Sequence, residues 1–127
     1  MKSFQTSFVF AVSLLFLSSC AQGQENLAAS AFSQKIKADK SAVVMDVRTP
    51  DEFTGGHLAN AINVDVKSTD FSQRCDKLDR KKTYYVYCLA GVRSNRAAQV
   101  MRAKGFRVVT LDGGITAWKD AGLPVVK

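Results

Sequence analysis

The sequence predicts an α/β fold: a three-layer α/β/α arrangement with a mostly parallel central sheet of about five strands. Two observations carry that reading. Short runs rich in β-branched and aromatic residues, "AVVMDV" (Ala42 to Val47), "AINVDV" (Ala61 to Val66), "YYVYC" (Tyr84 to Cys88) and "FRVVTL" (Phe106 to Leu111), alternate with stretches of helical periodicity. The connections between them are short. Strands joined through helices run parallel and are covered on both faces. In such sheets ligands bind beyond the carboxyl ends of the strands, and here one strand ends on a cysteine.

The elements follow in order. Met1-Lys2 and the apolar run Phe8 to Leu17, too short to span a bilayer comfortably, have the anatomy of a cleaved export signal over residues 1–19. "LSSC" (Leu17 to Cys20) resembles the bacterial lipobox, which implies a lipid on Cys20 and residues 20–26 as a lipidated tether. Ala21 after that cysteine, by resemblance to the sorting rule, implies the outer rather than the inner membrane, on the periplasmic side. A domain is expected over residues 27–127. It opens on an amphipathic helix from Ala28, with Phe32 and Ile36 on one side. Thr49 can cap a short helix with Pro50 at its first position, and Gly55-Gly56 stops it. "STDFSQRCDKLD" reads as a helix, "SNRAAQVMRAKG" as another ending at Gly105, and "ITAWKDAG" as a short last one. "LPVVK" offers a terminal strand.

Loss of residues 1–19 removes one lysine and leaves 17 basic against 11 acidic residues, a net charge of +6. Such a surface attracts small anions and anionic headgroups. The basic residues are scattered apart from "RKK" (Arg80 to Lys82), which reads as a solvated turn. No aromatic-interleaved basic stripe or zinc-finger spacing is present, so nucleic acid is not an expected partner. Beyond Cys20, Cys75 and Cys88 form no disulfide framework and no CxxC pair. Cys75, between Phe71 and Leu78, is either a packed apolar group or a thiol able to bridge or resolve Cys88.

"CLAGVR" (Cys88 to Arg93) holds the chemistry. A loop this short between strand and helix must curl, and Gly91 tolerates the backbone angles required. Curling turns successive N–H groups inward as an anion-binding nest, and the helix starting at Ser94 adds its partly positive end. Arg93 contributes a permanent cation. All three favour a thiolate, the nucleophilic form. A strand-end cysteine packed as a small hydrophobe is the plainer alternative.

"CLAGVRS" resembles the C-x-x-G-x-R-S active-site loop of the rhodanese family of single-domain sulfurtransferases. "VVMDVRTPDEFTGGHLANAINV" (Val43 to Val64) resembles its D-V-R-x-x-x-E-F-x-x-G-H-I-x-x-A signature, with Leu58 for the usual Ile and Asn60 where Gly is common. "LDGGITAWKDAGLPV" (Leu111 to Val125) resembles its closing L-x-G-G-x-x-x-W signature. The likeness implies a rhodanese-like fold and thiosulfate sulfurtransferase activity through a persulfide on Cys88, with no metal or organic cofactor. Thiosulfate would be the anionic donor and cyanide or a thiol the acceptor. Main-chain groups of Leu89, Ala90, Gly91, Val92, Arg93 and Ser94 would hold the persulfide, and Arg93 would close the loop against Ser94 and the helix. Asp46, Arg48 and Glu52 would fix nearby loops, and His57 would be structural rather than a base. A monomer is expected. Two other readings stay open: a non-catalytic sulfur carrier serving a protein partner, and a relative of the C-x5-R phosphatases and arsenate reductases. The latter use a wider loop, whereas four residues separate Cys88 from Arg93.

Overall fold

The computed structural model describes residues 24–127, so the signal segment, Cys20 and most of the expected tether lie outside the described residues. Five strands, β1 (Glu25–Leu27), β2 (Ala42–Asp46), β3 (Ile62–Asn63), β4 (Thr83–Tyr87) and β5 (Arg107–Leu111), form one sheet. Their order is β1-β5-β4-β2-β3, and every pairing is parallel. Helices α1 (Ala29–Ala38), α2 (Pro50–Thr54), α3 (Phe71–Asp76), α4 (Val92–Ala103) and α5 (Gly114–Asp120) make the connections.

The count of five strands holds, but its membership differs from expectation. Glu25 and Asn26, assigned to the tether, belong to edge strand β1, in register with Val109 and Thr110 of β5. The Thr110 hydroxyl donates to Asn26 Oδ1 at 2.8 Å, so a polar segment is held by pairing rather than by an apolar face. The expected terminal strand reduces to one antiparallel bridge between Val126 and His57. Pro124, beside it, has no N–H to extend a ladder, and its carbonyl accepts the Trp118 indole N–H at 2.9 Å. The helix expected over residues 68–79 contracts to the six residues of α3, and α4 starts at Val92 rather than Ser94.

Strand β4 shows how the sheet fills both layers. Its side chains alternate across the sheet. Tyr84 and Val86 pack with Cys75, Ala97, Met101 and Phe106 on the face covered by α3 and α4. Tyr85 and Tyr87 pack with Phe32, Leu111, Ile115 and Trp118 on the other face. The same alternation sends Cys88 to the Tyr84 face, where α4 begins. Each buried tyrosine hydroxyl is satisfied: Tyr84 donates to the Asp79 carbonyl, Tyr85 donates to Asp39, and Tyr87 accepts from Leu58 N–H.

The carboxyl ends of β2 and β4 are tied by a buried ion pair. Arg48 is 4% exposed and Asp46 wholly buried. Arg48 Nη2 donates to Asp46 Oδ2 and to the Gly56 carbonyl, both at 2.7 Å, and the guanidinium lies 5.7 Å from the Tyr87 ring centre. Asn63 Nδ2 donates to the carbonyls of Asp46 and Arg48, which binds β3 to the same point. Removing one partner strands the other charge in the interior, where an unpaired ion costs about 3–5 kcal/mol. Arg48→Met is therefore expected to lower unfolding stability by about 3 kcal/mol or more, read from urea denaturation; a change under about 1 kcal/mol would show that the pair does not brace this end of the sheet.

Candidate active site

Cys88 follows the last residue of β4 and is 1% exposed. The chain then turns through Leu89 and Ala90 into Gly91, the residue before α4, whose φ of +113° is left-handed and favours glycine. That turn brings the Gly91 N–H to 3.0 Å from the Cys88 sulfur and the Ser94 hydroxyl oxygen to 3.4 Å. Ser94 is wholly buried in the first turn of α4, and its hydroxyl donates to the Gly91 carbonyl at 3.0 Å. Burial pushes the thiol toward its neutral form. Hydrogen bonds from Ser94, Gly91 and Ala90 outweigh it, so the Cys88 pKa lies below that of an ordinary cysteine.

The loop's polarity is set from outside it, by residues the sequence reading did not single out. Ile115 N–H donates to the Cys88 carbonyl at 2.9 Å and Thr116 N–H to the Leu89 carbonyl at 3.2 Å. The first turn of α5 thus takes both carbonyls, and the Ala90 N–H, on the same peptide as the Leu89 carbonyl, is turned toward the sulfur beside that of Gly91. Gly114 makes this approach possible. A Cβ there would stand 2.4 Å from the Leu89 oxygen and 2.6 Å from the Cys88 oxygen, at a φ of +61°. The Gly-Gly pair at the start of α5 was the available signal; its partners, some 25 residues earlier, were not readable from it.

Arg93 has a different task from the one expected. Its guanidinium grips Glu52 of α2 through two hydrogen bonds, Nη1 to Oε1 at 2.7 Å and Nη2 to Oε2 at 2.9 Å. This fork holds the Glu52 carboxyl at about 2, with help from Thr49 against the effect of burial. Thr49 and Glu52 also complete a capping box on α2. Arg93 therefore closes the loop against α2 rather than against its own helix. Glu52 becomes one half of the strut that keeps α4 beside α2, while Asp46 and Arg48 brace the strand ends beneath.

His57 stacks on Phe53 with ring centres 3.8 Å apart and shares a hydrogen bond of 2.9 Å between Nδ1 and the Phe53 carbonyl. Its backbone pairs with Val126. Leu89 and Val92 are exposed, at 47% and 81%, and form an apolar rim around the loop. Cys75 is buried and, like Cys88, a free thiol. Burial raises its pKa, and its charged surroundings are Lys104, Asp76 and Arg74. It also perturbs Tyr84, near the start of β4, about 13 Å along the strand from Cys88. The two thiols share one core layer and form no bridge. A cavity of about 830 Å³, lined by Lys35, Asp39, Tyr85, Arg102 and Arg107 among others, opens at the opposite end of the sheet and has no cysteine in its lining.

The rhodanese-like domain family matches residues 28–121. The thiosulfate sulfurtransferase GlpE of Coxiella burnetii is 35% identical over 82 residues, covering 63% of this chain and 74% of the relative. An uncharacterised Synechocystis protein, slr1261, is 36% identical over 95 residues, covering 74% of this chain and 52% of the relative, so the chain spans about half of that protein. The crystal structure of a rhodanese-related protein from Thermoplasma volcanium superposes with a TM-score of 0.72 at 33% identity, covering 80% of this chain and 97% of the other. A chain consisting almost wholly of this domain is thus a folded protein in its own right.

Two substitutions probe the site. The Cys88 thiol donates to the Ser94 oxygen, and on ionisation the Ser94 hydroxyl turns its one proton from the Gly91 carbonyl to the sulfur. Ser94→Ala loses that bond to the thiolate, so the midpoint of Cys88 alkylation against pH should move up by about one unit or less. An unmoved midpoint would remove Ser94 from thiolate stabilisation. Gly114→Ala should slow alkylation at neutral pH by more than about tenfold, because the loop can no longer rest on α5. Alkylation at the wild-type rate would show that this contact does not govern the loop.

Proposed function

The chain belongs to the rhodanese-like domain family, and from that premise we propose that it moves sulfane sulfur from thiosulfate to cyanide or a thiol through a persulfide on Cys88. The observation that carries the reading is the Cys88 sulfur itself, held at 3.0 Å by the Gly91 N–H where α4 begins, with its pKa lowered. The loop is matched to one sulfur. Four residues lie between Cys88 and Arg93, and the N–H groups already close on Sγ, which favours sulfur transfer over a phosphatase-like reaction.

In the first half-reaction the Cys88 thiolate attacks the outer sulfur of thiosulfate. A new S–S bond forms as the old one breaks, and sulfite leaves with the electron pair. The persulfide's outer sulfur then takes the place of the anion that the Ala90 and Gly91 N–H groups favour. In the second half-reaction cyanide attacks that sulfur, thiocyanate departs, and the thiolate is restored; a thiol acceptor would leave as a persulfide in the same way. The two steps balance without an external oxidant or reductant, so the proposal includes no cofactor or metal. Arg93 and Glu52 hold the frame rather than the sulfur. In this proposal Cys20 carries a lipid, and the domain works on the periplasmic side of a bacterial membrane.

One observation favours a second reading, that of a sulfur carrier for a protein partner: the exposed apolar rim of Leu89 and Val92 beside a buried thiol suits a protein surface better than a small anion. Turnover separates the two. Residues 21–127 incubated with thiosulfate should gain one sulfur on Cys88 by mass spectrometry, discharge it to cyanide as thiocyanate over many cycles, and do neither as Cys88→Ser. A single slow discharge without turnover would favour the carrier; no added sulfur would overturn both the thiosulfate donor and the enzyme reading.

A further inference from the structure

We propose that the amino end of the sheet is a docking face for anionic lipid headgroups, and that it holds the domain with Cys88 turned away from the bilayer. Because all the strands are parallel, the segments that lead into them gather at one end. Those segments are the last turn of α1 with Lys40, the loop 77–82, and the last turn of α4 with Arg107. They carry Lys35, Lys37, Lys40, Lys77, Arg80, Lys81, Lys82, Arg102, Lys104 and Arg107.

Four acidic residues share that end: Glu25, Asp39, Asp76 and Asp79. Ten basic against four acidic residues give +6. The rest of the described chain has seven basic and seven acidic residues, so it is neutral. The whole net charge of the domain is therefore concentrated where the strands begin. Lys35 is paired with Glu25, while Arg80 and Lys104 share Asp76. Lys37, Lys40, Lys77, Lys81, Lys82 and Arg107 are exposed and make no ion pair among the described residues.

The chain supplies the second observation. It enters the described fold at Gln24 and Glu25, and Glu25 begins β1, so residues 1–23, with the apolar run Phe8 to Leu17 among them, attach at this same basic end. Four residues from Cys20 to Gln24 reach no more than about 14 Å. An anchor at Cys20 would therefore keep the lysine-bearing end close to the headgroups. Cys88 stands beyond the far end of β4, about 17 Å along the strand, so the exposed loop residues Leu89, Ala90 and Val92 that cover it face away from the headgroups. Each lysine near an anionic surface strengthens binding roughly fivefold, and salt weakens it.

The test uses the domain from Gln24 onward, without the anchor, sedimented with phosphatidylcholine vesicles and with vesicles that also contain phosphatidylglycerol. Binding is expected to the anionic vesicles only and to fall with salt. Lys40→Glu, Lys81→Glu and Lys82→Glu together should weaken it more than about tenfold, whereas Lys67→Glu, Arg96→Glu and Lys119→Glu together, with the same change of net charge, should leave it within about twofold. Among the described residues none of these six side chains makes an ion pair or hydrogen bond, and circular dichroism verifies that both triple variants are folded. Equal losses in the two triples would overturn the docking face, as would indifference to phosphatidylglycerol. So would tighter binding of a short polyphosphate through the same lysines, since the occupant would then be a soluble polyanion. The result is independent of sulfur transfer, because nothing in it reads Cys88.

Discussion

The hydrogen bonds from the first turn of α5 to the carbonyls of Cys88 and Leu89 decide what the loop can do. A peptide group presents either its oxygen or its N–H to a neighbouring sulfur. With Thr116 taking the Leu89 oxygen, the Ala90 N–H of the same peptide is turned to the thiol side, and the Gly91 N–H beside it closes on the sulfur. Burial alone would make Cys88 a neutral, inert thiol. The reversed polarity makes it an anion site instead, and Gly114 is the residue that lets α5 come close enough.

Around that contact the fold supplies stiffness at two heights. Below, Asp46 and Arg48 lock the ends of β2 and β4 to the Gly56 carbonyl, deep in the interior. Above, the Arg93–Glu52 fork spans α4 and α2, and the Thr49 capping box fixes Glu52 so that its carboxylate faces the fork. The upper strut joins separate elements, while the lower pair is local to the end of β2 and reaches the loop after α2 through the Gly56 carbonyl. The charge that a sequence reader assigns to the sulfur is spent on architecture, and the sulfur is left to backbone groups and Ser94.

Much of this was legible in the sequence, for identifiable reasons. Short apolar runs alternating with helical stretches, with short connections between them, pointed to the parallel sheet, and the cysteine at a strand's carboxyl end pointed to the candidate site. Thr49, Pro50 and Glu52 announced the start of α2. What was hidden depends on distance along the chain. Strand β1 is three residues whose order comes from pairing with β5, so no pattern marked it. Arg93 and Glu52 are 41 residues apart, and nothing local says that they meet. The Gly-Gly of the closing signature was visible, while the loop it supports was not. Asn60, which departs from the glycine common at that position, sits at a φ of +62°, a left-handed conformation that asparagine tolerates better than most residues.

The central claim, that oriented N–H groups overcome burial and lower the Cys88 pKa, is tested most directly by titrating the thiolate's ultraviolet absorbance in the domain and subtracting the same titration of Cys88→Ser. The difference removes Cys75, whose pKa is raised by burial. A Cys88 midpoint below the ordinary thiol value of about 8.5 is the predicted result. A midpoint at or above that value would mean that burial wins, and that the loop built on α5 does not activate the sulfur.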